Sequence, residues 1–237
     1  MRKSFVVAAL FAAVGLSALA APAHAQNATI YAVHGINGAD IGLDMDLPVS
    51  VSANGDCLVG LTDPFLYKDI AGPVGDLPPG EYEVEVFLGA GCSGLKVIQN
   101  TFYLAAFENA SIVAHLTEEG IPVLTKFVND LRPTDYHRVR GVVRHAAAAP
   151  PVNIWLKKYK PYYRMFRIRS LENGEQRALE VRGGEYMAKI NTIYGKRIAE
   201  APLPLTDPET VVIVYAVGSV KAGSFDLIPQ TIPIPMP

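Results

Sequence analysis

The chain has 237 residues, 50% hydrophobic and 19% charged, with a formal net charge of -2. That composition agrees with a folded protein of one large or two small domains, and it argues against a disordered chain. A near-neutral total also offers no basic excess of the kind that marks a nucleic-acid partner.

Met1, Arg2 and Lys3 open the chain, an apolar run follows from Phe5 to Ala20, and Ala23-His24-Ala25 ends it. This predicts a signal peptide over residues 1–25, cut before Gln26. The run is short for a span of ~20 apolar residues, and Pro22 interrupts it. No Cys follows the cut to carry a lipid, and no later stretch is apolar enough to span a bilayer. The reading is an exported protein, periplasmic or extracellular, with no membrane span.

In the first half, Asp40, Asp44 and Asp46 lie close together in a glycine-containing stretch and invite a Ca²⁺ reading. They lack the EF-hand spacing, and period-two geometry would set Asp44 and Asp46 on one solvated strand face. No metal site and no cofactor are assigned. Cys57 and Cys92 are the two cysteines of the chain. In an oxidising compartment an isolated pair is expected to form a disulfide.

Internal similarity organises the rest. Ala28–His34 answers Val139–His145, Pro79–Val86 answers Gly183–Ile190, and Ala110–Leu116 answers Thr210–Ala216, in the same order. A duplication follows, with its boundary near Asn129 to Thr134. The local patterns are those of strands: Tyr82, Val84 and Val86 alternate with Glu81, Glu83 and Glu85, while Pro78-Pro79-Gly80 and Gly89-Ala90-Gly91 supply turns. One helical candidate, Ala146 to Ala149, is stopped by Pro150-Pro151. The expected fold is all-β, with two tandem immunoglobulin-like or transthyretin-like β-sandwich domains at 26–130 and 135–228 and a Pro-rich tail at 229–237.

The runs ending in His34 and His145, the following small residues, Val152-Asn153-Ile154-Trp155-Leu156, and the Gly-Glu-Tyr that opens a strand resemble the bacterial domain-of-unknown-function family 4397, in two copies over nearly all of the mature chain. The resemblance implies sandwich domains of exported and cell-surface proteins, with no established catalytic residues. The first copy departs from the pattern at Gly35–Asp40, where a Pro-containing turn is usual.

His34 and His145 are equivalent by position, and could be a metal pair or a general base. At a strand end beside an apolar run, a hydrogen-bonded structural role is the expectation, and no catalytic residue is assigned. The unusual stretch is Trp155 to Arg169. It carries Lys157, Lys158, Lys160, Arg164, Arg167 and Arg169 with no acidic residue, among Tyr159, Tyr162, Tyr163 and Phe166. Cations among flat rings suit an anionic glycan. The competing reading is a strand pair whose aromatic side packs inward and whose basic stems guard an edge. Trp155 is expected on the face opposite Val152 and Ile154, partly exposed and alongside Asn153.

Charge divides by half: residues 26–130 carry 14 acidic and 3 basic residues, a net of -11, and residues 131–237 carry 9 acidic and 16 basic, a net of +7. The expected function is a non-catalytic structural or interaction module, self-associating through oppositely charged domains or binding another cell-envelope protein. The alternatives are a binding module for an anionic glycan or cell-envelope polymer and, last, an enzyme.

Overall fold

The computed structural model describes residues 27–44, 46–158 and 163–235. The signal-peptide expectation falls outside them, as do Tyr159, Lys160 and Tyr162. Among the described residues the chain is all β apart from one short 3-10 turn. The first half contains β1 (Ala28–His34), β2 (Val49–Ala53), β3 (Asp56–Val59), β4 (Ile70–Ala71), β5 (Asp76–Leu77), β6 (Gly80–Leu88), β7 (Lys96–Leu104), β8 (Asn109–Leu116) and β9 (Pro122–Val128). The second contains β10 (Arg138–His145), β11 (Val152–Lys158), β12 (Arg164–Leu171), β13 (Gln176–Arg182), β14 (Gly184–Thr192), β15 (Arg197–Leu205), β16 (Thr210–Val217) and β17 (Asp226–Pro233).

Each half is a two-sheet sandwich, and the two have one topology. The first has sheets β4-β1-β8-β9, with β5 also on β1, and β3-β2-β6-β7; the second has β13-β10-β16-β17 and β12-β11-β14-β15. In both, the first strand pairs in parallel with the next-to-last strand: β1 with β8 and β10 with β16. The segments that match in sequence are β1 and β10, β6 and β14, β8 and β16, so the repeats occupy equivalent strands.

The sheets stack in four layers. One apolar cluster joins Ile30, Ala32, Ile112 and Leu124 of the first inner sheet to Val49, Val84, Val86 and Ile98 of its outer partner. A second joins Val33, Val113 and Phe127 to Val142, Val211, Ile213, Tyr215, Val217 and Ile232, across the domain boundary. Two more join the second inner sheet to β11, β12, β14 and β15. The inner sheets are thus buried on both faces. This is why Ser111–Leu116 and Val211–Val217 are buried without a break while β6 alternates.

The domain interface also carries a buried polar network centred on Arg144, which is 0% exposed. Its Nη2 donates to Asn129 Oδ1 at 2.5 Å, its Nη1 to the Tyr215 hydroxyl at 2.8 Å and its Nε to Gln176 Oε1 at 3.0 Å. The guanidinium lies 4.9 Å from the Phe127 ring centre and 5.1 Å from that of Tyr215. Tyr215 in turn lies 2.9 Å from Ser111 Oγ of the first domain. At the rim, Lys68 pairs with Asp226, and Tyr67 donates to Ser224 O at 3.1 Å. Burial, with Asp226 and Asp40 nearby, pushes the Tyr67 hydroxyl up to about 12.

Three local expectations are corrected. Ala146–Ala149 form no helix: these alanines are buried, and Ala148 makes a parallel bridge to Ser219, small side chains being what the crowded domain junction admits. The Asp40–Asp46 stretch is no strand. Asn37 Oδ1 accepts the Ala39 N–H and caps a 3-10 turn at Gly38–Ile41, and Gly42 at φ 80° ends it. Asp40 accepts from Ser224 Oγ at 2.5 Å, an interdomain contact. Finally, the residues from 229 are no separate tail up to Pro233, because β17 pairs with β16 through that residue. Ile232 and Ile234 are buried in the interface, which holds this strand down despite its prolines.

Candidate functional site

The two strand-end histidines share one geometry. Nδ1 of His34 accepts the Ile36 N–H at 3.4 Å while Nε2 meets Leu47 O at 2.9 Å; Nδ1 of His145 accepts the Ala147 N–H at 3.4 Å while Nε2 meets Pro150 O at 3.2 Å. Both are buried, and burial lowers both pKa values. Each ring therefore stays neutral and pins the turn after its strand, the structural role expected of it. A third, His115, bonds Leu116 O and Thr125 Oγ1, and burial lowers it to about 4.

The Gly-Glu-Tyr motif is equally structural. The Tyr82 hydroxyl donates to Pro78 O at 2.8 Å and the Tyr186 hydroxyl to Arg182 O at 2.7 Å, each closing the corner that leads into its strand. The cysteines form the expected disulfide, Cys57–Cys92, with Cα atoms 5.7 Å apart. It ties β3 to the loop between β6 and β7.

The basic stretch of the second domain is a β11–β12 hairpin, and strand alternation divides it between two surfaces. On the outer face of the sheet stand Trp155, Lys157 and Arg167. Trp155 is partly exposed, as expected, although Asn153 is buried. The Arg167 guanidinium covers the Trp155 ring at 4.3 Å from its centre. Beside them Lys189 pairs with Glu200 at 2.8 Å, and Arg197 reaches the same carboxylate at 2.5 Å. Arg169 is exposed at the far end of β12, and the Tyr163 hydroxyl bonds Met165 Sδ at 3.5 Å.

Lys158 and Arg164 face the other way, toward the end of the sandwich. Lys158 is only 9% exposed, with Nζ donating to Gly183 O at 2.6 Å and lying 5.3 Å from the centre of the Tyr186 ring. The single anionic-ligand patch expected from Trp155 to Arg169 is therefore two surfaces, because neighbours on a strand point to opposite faces. Tyr136, His137, Arg138 and Arg182 join Lys158 and Arg164 at the second of them. They come from distant chain segments, and no local spacing announces them.

The outer faces of the two domains differ in sign at equivalent ladder positions. In the first domain Ser52 pairs with Cys57 and Glu85, and Glu85 with Gln99. In the second, Trp155 pairs with Arg167 and Lys189, and Lys189 with Glu200. Glu85 thus stands where Lys189 does. Glu81 and Glu83 continue the acidic row along β6, and Lys96 pairs with Glu85 at 2.7 Å.

No helix among the described residues is long and apolar enough to cross a membrane. No family model and no curated protein matches the chain. Solved structures with some likeness include a family 26 carbohydrate-binding module from Eubacterium rectale, in complex with maltoheptaose, at 11% identity and TM-score 0.25, covering 89% of this chain and 98% of that one. Another is a candidate cell adhesion protein from Bacteroides ovatus, at 7% identity and TM-score 0.30, with the same coverage of each.

Proposed function

We propose that this chain is an exported, non-catalytic interaction module whose two ends carry opposite charge and associate head to tail, copy to copy. The reading rests on one observation: the acidic row of Glu81, Glu83 and Glu85 and the basic group of Lys157, Arg167 and Lys189 lie on the outermost faces of a four-layer stack. The inner faces are already covered by one another. Opposite charges at opposite poles cannot meet within one chain, and a repeated contact of that kind does not close.

The inner contact is an apolar cluster that encloses the Arg144 network, with the Lys68–Asp226 pair at its rim, so the bulk charge difference between the halves is not what joins the two domains within the chain. The buried strand-end histidines offer no accessible base, and the disulfide fits an oxidising compartment. Resemblance to family 4397 belongs to the same proposal and is supported by the paired histidine and tyrosine anchors.

Magnitude limits the strength of such an assembly. Four strands at ~4.8 Å spacing and nine residues at ~3.4 Å give a face of roughly 500 Å², hence roughly 1,000 Å² for two faces, the low end for a specific interface. Exposed pairs add only ~0.2–1 kcal/mol each, so association is weak and salt-sensitive. Prolines at Pro202 and Pro204 on edge strand β15, and at Pro229 and Pro233 on edge strand β17, discourage strand addition instead.

Sedimentation of the mature chain from about 20 to 500 mM salt tests this reading. Species larger than the monomer should dissolve as salt rises. One variant with Glu81, Glu83 and Glu85 changed to Lys, and another with Lys157, Arg167 and Lys189 changed to Glu, should each stay monomeric, yet associate when mixed. A monomer at every salt concentration, with no association in the mixture, would remove the proposal.

A further inference from the structure

The open end of the second sandwich holds a cleft of about 780 Å³, between the inner sheet and the outer one. Its size suits a small ligand or a few units of a polymer. Two cross-strand pairs of like charge converge on it. Arg138 lies directly opposite Arg182 on the inner sheet, and Lys158 directly opposite Arg164 on the outer sheet. Like charges at facing ladder positions repel. Such a pair survives where something else fixes it.

No carboxylate does so for three of the four. Among the described residues, no acidic side chain stands within ion-pair distance of Lys158, Arg164 or Arg182, and Arg138 donates to Glu180 O at 3.0 Å and pairs with Asp135 at 3.6 Å, well exposed. Lys158 is the sharpest case. Its ammonium is buried, yet it donates to a single carbonyl, that of Gly183, although an ammonium has three protons to give. Its seat depends on Gly184, where a Cβ would come within 2.2 Å of Nζ. Tyr186 and Phe166 form an aromatic wall, with ring centres 6.3 Å apart, and Tyr136 stands at the mouth, 87% exposed.

We infer that this cleft is a binding site for an anionic glycan, with Arg138, Lys158, Arg164 and Arg182 meeting carboxylate or sulfate groups and Tyr136, at the mouth, meeting a sugar ring. Charged groups bring the ligand in, and rings with a polar tip accept its apolar faces. A dense polyanion such as nucleic acid is disfavoured by the neighbouring domain, whose net charge is -11. The site belongs to the second domain alone. At the first domain's equivalent of Lys158 the hairpin turns at Gly55, and Pro78 stands in the place of Arg182.

The inference is independent of head-to-tail association, since Arg138, Lys158, Arg164 and Arg182 lie off the two outer faces. Calorimetry with the purified mature chain tests it, using a sulfated heparin oligosaccharide, a polygalacturonate oligosaccharide, maltoheptaose as neutral control and a single-stranded oligonucleotide. An anionic glycan should bind, weaken with salt, and lose at least tenfold in affinity in Arg164→Ser and in Arg182→Ser. Lys157→Ser and Arg167→Ser, on the outer face, should leave it unchanged. Both cleft variants should also melt no lower than the native chain, because each removes a like-charge contact, and the glycan should raise the native melting temperature but not theirs. Should Arg182→Ser fail to fold, Arg164→Ser, at an exposed strand end, carries the same requirement. Absence of binding by either anionic glycan, preference for the oligonucleotide, or equal loss in the outer-face variants would overturn the inference.

Discussion

The two domains share their anchors and differ in almost everything they show to solvent. His34 and His145 pin equivalent turns, and Tyr82 and Tyr186 close equivalent corners. By contrast, the outer row Cys57-Ser52-Glu85-Gln99 of the first domain becomes Arg167-Trp155-Lys189-Glu200 in the second. The β2–β3 hairpin turns tightly at Asn54-Gly55, both with positive φ, whereas its counterpart still pairs Lys158 with Arg164 at the position equivalent to Gly55. A longer hairpin carries cations to the sandwich end, and a short one leaves none there. Equivalence in this fold therefore marks a structural duty, and function is to be sought where the copies part.

The interface between the domains gives the largest expected effect. Arg144→Ala strips partners from Asn129, Gln176 and Tyr215 in a buried setting, and should cost about 3–5 kcal/mol. Denaturant titration followed by the lone Trp155, which reports on the second domain, and by circular dichroism for the whole chain should show one transition in the native protein and two in the variant. Two transitions in the native chain would mean that the domains unfold independently despite their shared apolar cluster.

Next is the disulfide, which only the first domain has. With its ends at a sequence separation of 35, its loss in Cys57→Ser should destabilise that domain by roughly 3–4 kcal/mol. If the domains are coupled as their packing implies, Trp155 emission will shift at the same lowered temperature. Unchanged melting of the second domain would separate them again.

Acid should act on the strand-end histidine of each copy and most on His115, which has no histidine counterpart in the second copy. His34, His145 and the interface residue His115 have folded pKa values held below 6.5 by burial. Between the folded and unfolded values the unfolded chain binds the extra protons, so stability is full above about pH 6.5 and falls as pH drops toward 4. For His115, lowered to about 4, the loss is on the order of 3 kcal/mol. His115→Gln should flatten the decline between pH 6.5 and 4 in a melting series. A curve no flatter than the native one would assign acid sensitivity elsewhere.

Much of this fold was legible. Tyr82, Val84 and Val86 spelled out one buried face, three matched segments fell on equivalent strands, and the lone cysteine pair met in the expected bond. The candidate ligand stretch was half legible: the residue types in Trp155–Arg169 were visible, but their division between an outer face and an end cleft follows from alternation along β11 and β12. Val211-Val212-Ile213-Val214-Tyr215 held an unused signal. A continuous apolar strand is one buried on both sides, and it foretold a sheet pressed between two others.

The sequence by itself determined the strands, the duplication, the cysteine pairing and the opposite charge of the two halves, because each is written in local periodicity, composition or residue count. Tertiary structure alone decided that the inner sheets consume one another's faces and leave the acidic and basic surfaces at opposite poles. It alone set Arg138 against Arg182 and Lys158 against Arg164 around one cleft. Cross-strand pairing joins residues far apart in the chain, and no local pattern encodes which of them will meet.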